Sequence, residues 1–249
     1  MKKSVETLLE TYQVRKTKKQ KQAFARWLTE HLSAQGYTVR KDAYSKAGCN
    51  LIVGDADAAD LLLTAHYDTQ PNCFLPLLMG FSNWLSFAVC QCLPMLPLAL
   101  GVLLCKPLLN ALSAGHLFSP LASVLCIAYC AQFMFGVANK HTANDNTSGV
   151  AVLLSILEEL PAEDRCKVCV VFFDQEESGL IGSQKFYKKR KAAMQHKPII
   201  NFDCVGDGET LTFVMKKRFR NSSCAGLLLK AAEAAVQNSG KAVRFADAL

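Results

Sequence analysis

Apolar residues at Phe24, Trp27, Leu28 and Leu32 recur at three- and four-residue spacing, the period of one helix face. The spacing predicts a helical first segment reaching to about Gln35, with Gly36 as its stop. The period then shortens. Strands are expected at Tyr37 to Arg40 and Asn50 to Val53, and the apolar run Leu61 to Ala65 (LLLTA) reads as a buried strand. Beyond Lys140, a helix through GVAVLLSILEEL is expected, capped by Thr147 or Ser148 and closed by Pro161. KVCVVFF is then a strand, LIGSQKFYKKRKAAM a helix and PIINF a strand. LTFVM adds another strand, and Ser223 to Asn238 an amphipathic helix ended by Gly240. Strands alternating with helices over short links predict βαβ units, and so an α/β fold with a largely parallel sheet.

Between these halves the pattern changes kind. NWLSFAVCQCLPMLPLALGVLLC, Asn83 to Cys105, runs for twenty-three residues without a charge. That suffices to cross a bilayer, since ~20 apolar residues in a helix span its hydrocarbon core. A second such run extends from Leu117 to Ala138, after the connector KPLLNALSAGH. Pro94 and Pro97 are expected to kink the first helix, which a membrane helix tolerates. Residues 73–138 are therefore read as an inserted transmembrane helical hairpin, with helices at about 83–105 and 117–138. It divides one domain into 1–72 and 139–249.

Composition sharpens this division. The chain is 51% hydrophobic, yet from Pro71 to Asn139 its one formal charge is Lys106. The net charge of +7 is modest. Its clearest cluster, Arg15, Lys16, Lys18, Lys19 and Lys21, reads as the solvated face of a helix near an anionic membrane surface. No motif joins it to nucleic acid. Of eleven cysteines, five lie in the apolar middle as small hydrophobes. Cys166 and Cys169 enter a strand three residues apart, pointing to opposite faces, which disfavours a shared metal. MKKSVETLLE has no signal-peptide apolar core. Together these favour a reducing, cytoplasmic setting.

In open parallel sheets, sites gather at the carboxyl ends of the strands. LLLTA delivers His66 and Asp68 there; KVCVVFF delivers Asp174, Glu176 and Glu177; PIINF delivers Asp203. Asp145 precedes a helix whose amino end should open onto the same edge. Crowded carboxylates repel one another and are costly to bury, and a divalent cation relieves both costs. Imidazole with carboxylates suits zinc, or cobalt or manganese. Two cations sharing a carboxylate form a common hydrolytic clamp.

TAHYDT, ANDNTSG, FFDQEESGLIGS and NFDCVG resemble, in order, segments of the co-catalytic zinc aminopeptidases, metallopeptidase family 28. The resemblance covers roughly residues 16–72 and 139–240. It implies an α/β three-layer sandwich with a mixed, largely parallel central sheet. It also implies two zinc ions and a peptide substrate. His66 would be a ligand of the first metal, with Asp68 orienting the imidazole. Asp145 would bridge both metals, Glu177 would bind the second and Asp203 the first. Glu176 would be the general base, relaying a proton from activated water to the leaving amine.

The same resemblance implies a last metal-ligand histidine downstream of Asp203. The histidines are His31, His66, His116, His141 and His196. The first metal site is thus complete and the second lacks a histidine, which His141, near Asp145, could replace. A C-terminally incomplete chain is expected, with one tight metal, one weak metal and little activity. A glutaminyl-cyclase-like acyl transferase, working with one zinc on this scaffold, is the alternative enzyme reading. A non-catalytic membrane protein with a degenerate hydrolase domain is the alternative outside enzymes. The Lys- and Arg-rich N-terminal flank predicts a multi-pass membrane protein whose catalytic domain faces the cytoplasm, with the lipid bilayer as partner. A site at the rim of the insert would favour apolar or membrane-derived peptides.

Overall fold

The computed structural model describes residues 2–72, 84–239 and 242–247. In chain order, α1 (Lys3–Thr11) and α2 (Lys18–Ser33) lead to β1 (Val39–Ala43), β2 (Cys49–Val53) and β3 (Leu61–His66). Next come α3 (Trp84–Cys92), α4 (Leu96–Ala111) and α5 (Phe118–Phe135). They are followed by α6 (Gly149–Glu159), β4 (Val168–Phe173), α7 (Ile181–Met194) and β5 (Ile199–Asn201). β6 (Thr210–Met215), α8 (Lys217–Arg220), α9 (Ser223–Ser239) and β7 (Ala242–Asp247) complete the described chain. Two compact units result: Met1–Gln70 with Ala138–Glu209, and Pro71–Val137 with Thr210–Leu249.

The first unit is built on a five-stranded sheet in the order β1-β2-β4-β3-β5. Only β3 with β4 and β3 with β5 pair parallel; β1–β2 and β2–β4 are antiparallel. The sheet is therefore evenly mixed rather than largely parallel. One of the two antiparallel pairs is local: the Tyr44–Gly48 turn folds β1 onto β2 as a hairpin, with Tyr44 N–H donating to Gly48 O at 3.1 Å.

Side-chain alternation along β3 sets the two faces. Leu63, Ala65 and Tyr67 join Leu8, Phe24, Leu28, Leu153, Leu154 and Leu157 in one core. Leu62 packs on the opposite side with Phe186 and Met194 of α7. Helices thus cover both faces of the sheet in this unit. The register does the positioning: His66 lies level with Phe173, and Thr64 with Asn201. Asp68 and Asp203, just beyond the ends of β3 and β5, consequently lie along one edge.

The predicted N-terminal helical segment is two helices. Thr17 starts α2 with a capping box, its side chain accepting the Gln20 amide while Gln20 accepts the Thr17 N–H. Arg15, in the break, is fully buried, and Lys21 is largely so, bonded to Asp174 at 2.5 Å. The basic cluster is therefore not one solvated face.

In the second unit, α3 and α4 are separated by a 3-10 turn at Leu93–Met95, so the chain breaks where Pro94 was expected to kink it. Pro97 falls in the first turn of α4, where a missing N–H is harmless. α4 continues through Lys106 and Pro107 to Ala111, so the connector is shorter than KPLLNALSAGH. The expected start at Asn83 lies outside the described residues. α5 packs on α4 and stops before Gly136. The stretches Ala88–Ala111 and Gly115–Gln132 are long and apolar enough to cross a membrane, with 6% and 0% of their apolar windows buried. LTFVM forms β6, paired parallel to β7, with Phe213 stacked on Phe245. α9 ends at Ser239; the expected stop, Gly240, lies outside the described residues.

Candidate metal centre

His66, at the end of β3, is 3% exposed. Its Nε2 lies 3.1 Å from Asp145 Oδ1 and 3.7 Å from Asp203 Oδ1, and its Nδ1 lies 3.5 Å from Asp68 Oδ1. Asp68 holds a second partner more firmly. Its carboxylate accepts the backbone N–H groups of Glu176 at 3.0 Å and Glu177 at 3.2 Å. One buried carboxylate thus fixes the DQEE turn and faces the imidazole. Gln70, two residues on, donates from Nε2 to Asp145 Oδ2 at 3.0 Å. Gln70 O also accepts the Asn139 N–H at 3.0 Å, so residues 71–138 leave and rejoin this unit beside Asp145.

The asparagines of NDN tie the Asp145 loop to the segment after β5. Asn144 Oδ1 accepts the Gly206 N–H at 2.9 Å, and Asn146 Nδ2 donates to Phe202 O at 2.9 Å. Ser148 Oγ accepts the Val205 N–H at 3.1 Å. Asn146 Oδ1 also accepts the Gly149 N–H, so it caps α6 in place of the expected Thr147 or Ser148. The approach is close enough to need glycine. A Cβ on Gly149 would meet Phe202 O and Asn146 Oδ1 at 2.5 Å.

Beneath the rim, the Arg15 guanidinium donates to Tyr67 O, Tyr12 O and Thr147 Oγ1, and its backbone N–H donates to Thr69 Oγ1. Burial lowers its pKa to about 10, so it remains charged at neutral pH. It pins the tail of β3 to the start of α6. Asp174, expected at the rim, turns inward: Oδ1 meets Lys21 at 2.5 Å and Oδ2 accepts the Cys49 N–H at 3.1 Å.

The candidate ligand atoms fall into two sets, each within 4.8 Å throughout: His66, Asp145 and Glu177, and Asp145, Asp203 and Cys204. Asp145 is common to both. Glu177 thus groups with His66, whereas the resemblance joins it to the second metal. His141 is exposed and belongs to neither set.

Electrostatics favour a cation here. Burial, then Asp145, pushes the Glu177 carboxyl up to about 9. Burial also raises Glu176, with Asp203, Asp68 and Asp145 adding to it against the opposing pull of His66. Burial alone would lower His66, but Asp145, Asp203 and Asp68 outweigh it and hold the imidazole well above its ordinary value. Burial would raise Asp68, yet His66, Lys21 and the Glu176 amide hold it low. Glu177 Oε1 and Asp203 Oδ1 are buried without a hydrogen-bond partner. Orphaned carboxylate oxygens around an imidazole fit a divalent ion bound by nitrogen and oxygen.

Beside this group lies a cavity of about 270 Å³, lined by His66, Glu176 and Asp203 and by apolar Phe173, Leu180 and Phe186.

The fold is that of an α/β protein with a mixed central sheet, and the candidate metal site lies at one edge of that sheet. Residues 128–247 match the profile of Peptidase family M28. Glutaminyl cyclase of Porphyromonas gingivalis is similar in structure, with TM-score 0.58 and 20% identity over 99% of this chain and 76% of that one. So is a Zn-dependent exopeptidase from Parabacteroides distasonis, with TM-score 0.51 and 17% identity over 97% and 74%. Macrostomum lignano glutaminyl cyclase gives TM-score 0.50 and 14% identity over 99% and 72%. At these identities the likeness establishes the fold. No curated protein sequence matches the chain.

Gln70, Asn144, Asn146, Arg15 and Cys204 escaped the sequence reading. The asparagines carried a usable signal, since Asn and Asp followed by Thr and Ser in a polar run mark a turn that side chains hold.

Proposed function

We propose that this chain is a zinc-dependent metallopeptidase that removes N-terminal residues from peptides, attached to a membrane through residues 84–135. The observation that carries the reading is the convergence of His66, Asp145, Glu177 and Asp203 on one edge, with buried carboxylate oxygens left without partners. His66, Asp145 and Glu177 would hold one ion, and Asp145 with Asp203 would serve a second. Zinc bound there supplies a Lewis acid and a water of lowered pKa.

The chain's own groups do the rest. Glu176 lines the cavity and its carboxyl is raised by burial, which suits a group that takes a proton from water and returns it to the leaving amine. Asp68 keeps Glu176 in place through the backbone amide. The apolar cavity walls would seat an apolar side chain.

The test is hydrolysis of aminoacyl peptides by the zinc-loaded protein and its Glu176→Gln variant. The variant should lose roughly 10²–10⁴-fold in kcat with its melting temperature unchanged. Undiminished peptidase activity would sink the assignment.

A second reading, glutaminyl-cyclase-like acyl transfer, is favoured by there being one imidazole-containing ligand set among the described residues. Cyclisation of an N-terminal glutaminyl peptide without release of free amino acids would select it.

Membrane attachment is supported by apolar helices whose surfaces are left almost wholly uncovered. The basic N-terminal flank favours a cytoplasmic catalytic unit. That unit should be digested by protease added to inside-out vesicles; protection would reverse the topology.

A further inference from the structure

We infer that a cavity at the edge of the sheet opposite the metal centre is a binding site for a free α-amino acid with an aliphatic side chain. The site is separate from the metal centre and stands whether or not the peptidase reading does.

β4 runs from Val168 to Phe173, and Phe173 lies level with His66. At about 3.3 Å per residue, Val168 lies roughly 17 Å back along the strand. Val53, the last residue of β2, pairs with Val170 of β4 and with Val39 of β1. The start of β1, the end of β2 and the start of β4 therefore meet at this far edge. A cavity of about 400 Å³ opens there, within the ~300–1,000 Å³ of small-molecule sites. Three chemistries line it: Val53, Leu157 and Val168 are apolar, Arg40 and Arg165 are cationic, and Asp55 is anionic.

The Arg165 guanidinium is held in place by the protein itself. Its centre lies 4.2 Å from the Tyr37 ring centroid, and Nη1 donates to Gln35 O at 2.9 Å. Tyr37 is fixed in turn, its hydroxyl donating to Leu157 O at 2.7 Å. Yet Arg165 Nε is buried without a hydrogen-bond partner. A buried N–H left unpaired is costly, and a carboxylate is the acceptor that a guanidinium fork fits best. Arg40, on the exposed side, makes a long bond to Gly54 O at 3.5 Å, which leaves most of its five donors for a ligand.

Asp55 supplies the opposite sign. Gly54, at φ +87°, turns the chain out of β2, and Asp55 Oδ1 accepts the amides of Asp57 at 2.9 Å and Ala58 at 3.4 Å. Those amides first, then Arg40 and Lys197, hold its carboxyl below the usual value against the opposing effect of burial. It is therefore ionised at neutral pH. Two guanidiniums and one carboxylate around an apolar floor complement a carboxylate, an ammonium and an aliphatic side chain on one small molecule. A phosphate would meet Asp55 with like charge and leave the apolar floor uncovered. A fatty acid would leave Asp55 without a partner. An aminopeptidase releases amino acids, which makes the product of the proposed reaction one source of the ligand.

The experiment is calorimetric titration of the full-length protein in detergent micelles, before and after treatment with a chelator. The probes are L-leucine, leucinamide, which lacks the carboxylate, and 4-methylpentanoate, which lacks the ammonium. Leucine should bind in both states of the protein. Each analogue should bind at least about tenfold more weakly, the weight of one lost charge-assisted hydrogen bond. Arg40→Gln should erase the preference for leucine over leucinamide, and Asp55→Asn the preference over 4-methylpentanoate. The analogue series on wild type needs neither variant to fold. No binding of leucine, equal affinity for all three probes, or preferences untouched by both variants would overturn the site. So would leucine binding that disappears on chelation, because the ligand would then sit at the metal edge. Leucine binding by a protein without peptidase activity would leave this site standing and sink the function proposed above; peptidase activity without leucine binding would do the reverse.

Discussion

In the first unit the fully buried side chains include Arg15 and Asp174 beside Phe24, Leu153 and Phe172; in the second, α4 and α5 turn Leu103 and Ile127 outward at 68% and 69% exposure. One region takes charge inside and satisfies it; the other leaves apolar surface uncovered. Buried charge is costly unless paired, and here each charge finds carbonyls, hydroxyls or a counter-ion. Exposed apolar helices are costly in water and favourable in lipid. The contrast teaches that the two regions pose opposite problems, one pairing the charge it buries and the other leaving apolar surface to be covered. They meet in sequence at Gln70, which also touches Asp145.

The strongest way to break the contrast is to remove one side of it. Deleting residues 74–137 should convert a membrane-associated protein into a soluble one, because the uncovered apolar helices go with the deletion. Fractionation after carbonate washing reads this directly. Association that survives the deletion would show that something other than these helices holds the protein to membranes.

Next in size is Arg15→Met, which keeps volume and removes the charge. Tyr67 O, Tyr12 O and the hydroxyls of Thr69 and Thr147 surround Arg15. Removing the guanidinium leaves its neutral acceptors unpaired, and each buried acceptor so orphaned costs about 1–3 kcal/mol. Chemical denaturation should register that loss. A cost under 1 kcal/mol would mean that the buried guanidinium is not what pins β3 to α6.

A matched pair of leucines sharpens the comparison. Leu153→Ala, in the closed core of the first unit, should cost about 2–5 kcal/mol. Leu103→Ala, outward on α4, should stay within about 0.5 kcal/mol. Equal costs would mean that α4 is packed against something in the native protein, and the second unit would no longer read as lipid-facing.

How much of this was legible beforehand depends on how far each feature reaches along the chain. The α2 face and the strands at Asn50–Val53 and Leu61–Ala65 were legible because helix and strand periods are local. The rim was legible too: parallel neighbours β3, β4 and β5 in register must bring their following residues to one edge, and His66, Asp145 and Asp203 do meet. Arg15 was not. A basic residue in a basic run looks solvated until Tyr67 and Thr147, more than fifty residues away, close over it. The antiparallel β2–β4 pairing and the Asn146 cap are likewise decided by distant partners. Gln70 carried no local signal at all; its role follows from where the insert begins.

The last prediction concerns protons in the polar unit, and its sign can be worked out. Glu177, pushed up to about 9, is above its unfolded value, so the metal-free protein loses stability as pH climbs from about 4.5 toward 9. His66, held above 6.5 by its carboxylates, adds stability below that pH and loses it as pH rises through the raised value. Asp68, held low, works oppositely, but only in acid below its usual range. Between pH 5.5 and 8.5 the metal-free centre therefore weakens, by up to about 1.4 kcal/mol per pH unit for each proton involved. Zinc held by His66 and Glu177 would require their deprotonated forms and would replace the lost protons with its own charge. The gap in melting temperature between zinc-loaded and chelator-treated protein should accordingly widen from pH 5.5 to pH 8.5. Calorimetric titration in buffers of different ionisation enthalpy should find protons released on zinc binding near neutrality. A gap that stays constant across that range would mean the ligand set does not hold those protons. The apolar helices offer the internal control: with no titrating carboxylate between Trp84 and Phe135, their deletion should leave this pH dependence unchanged.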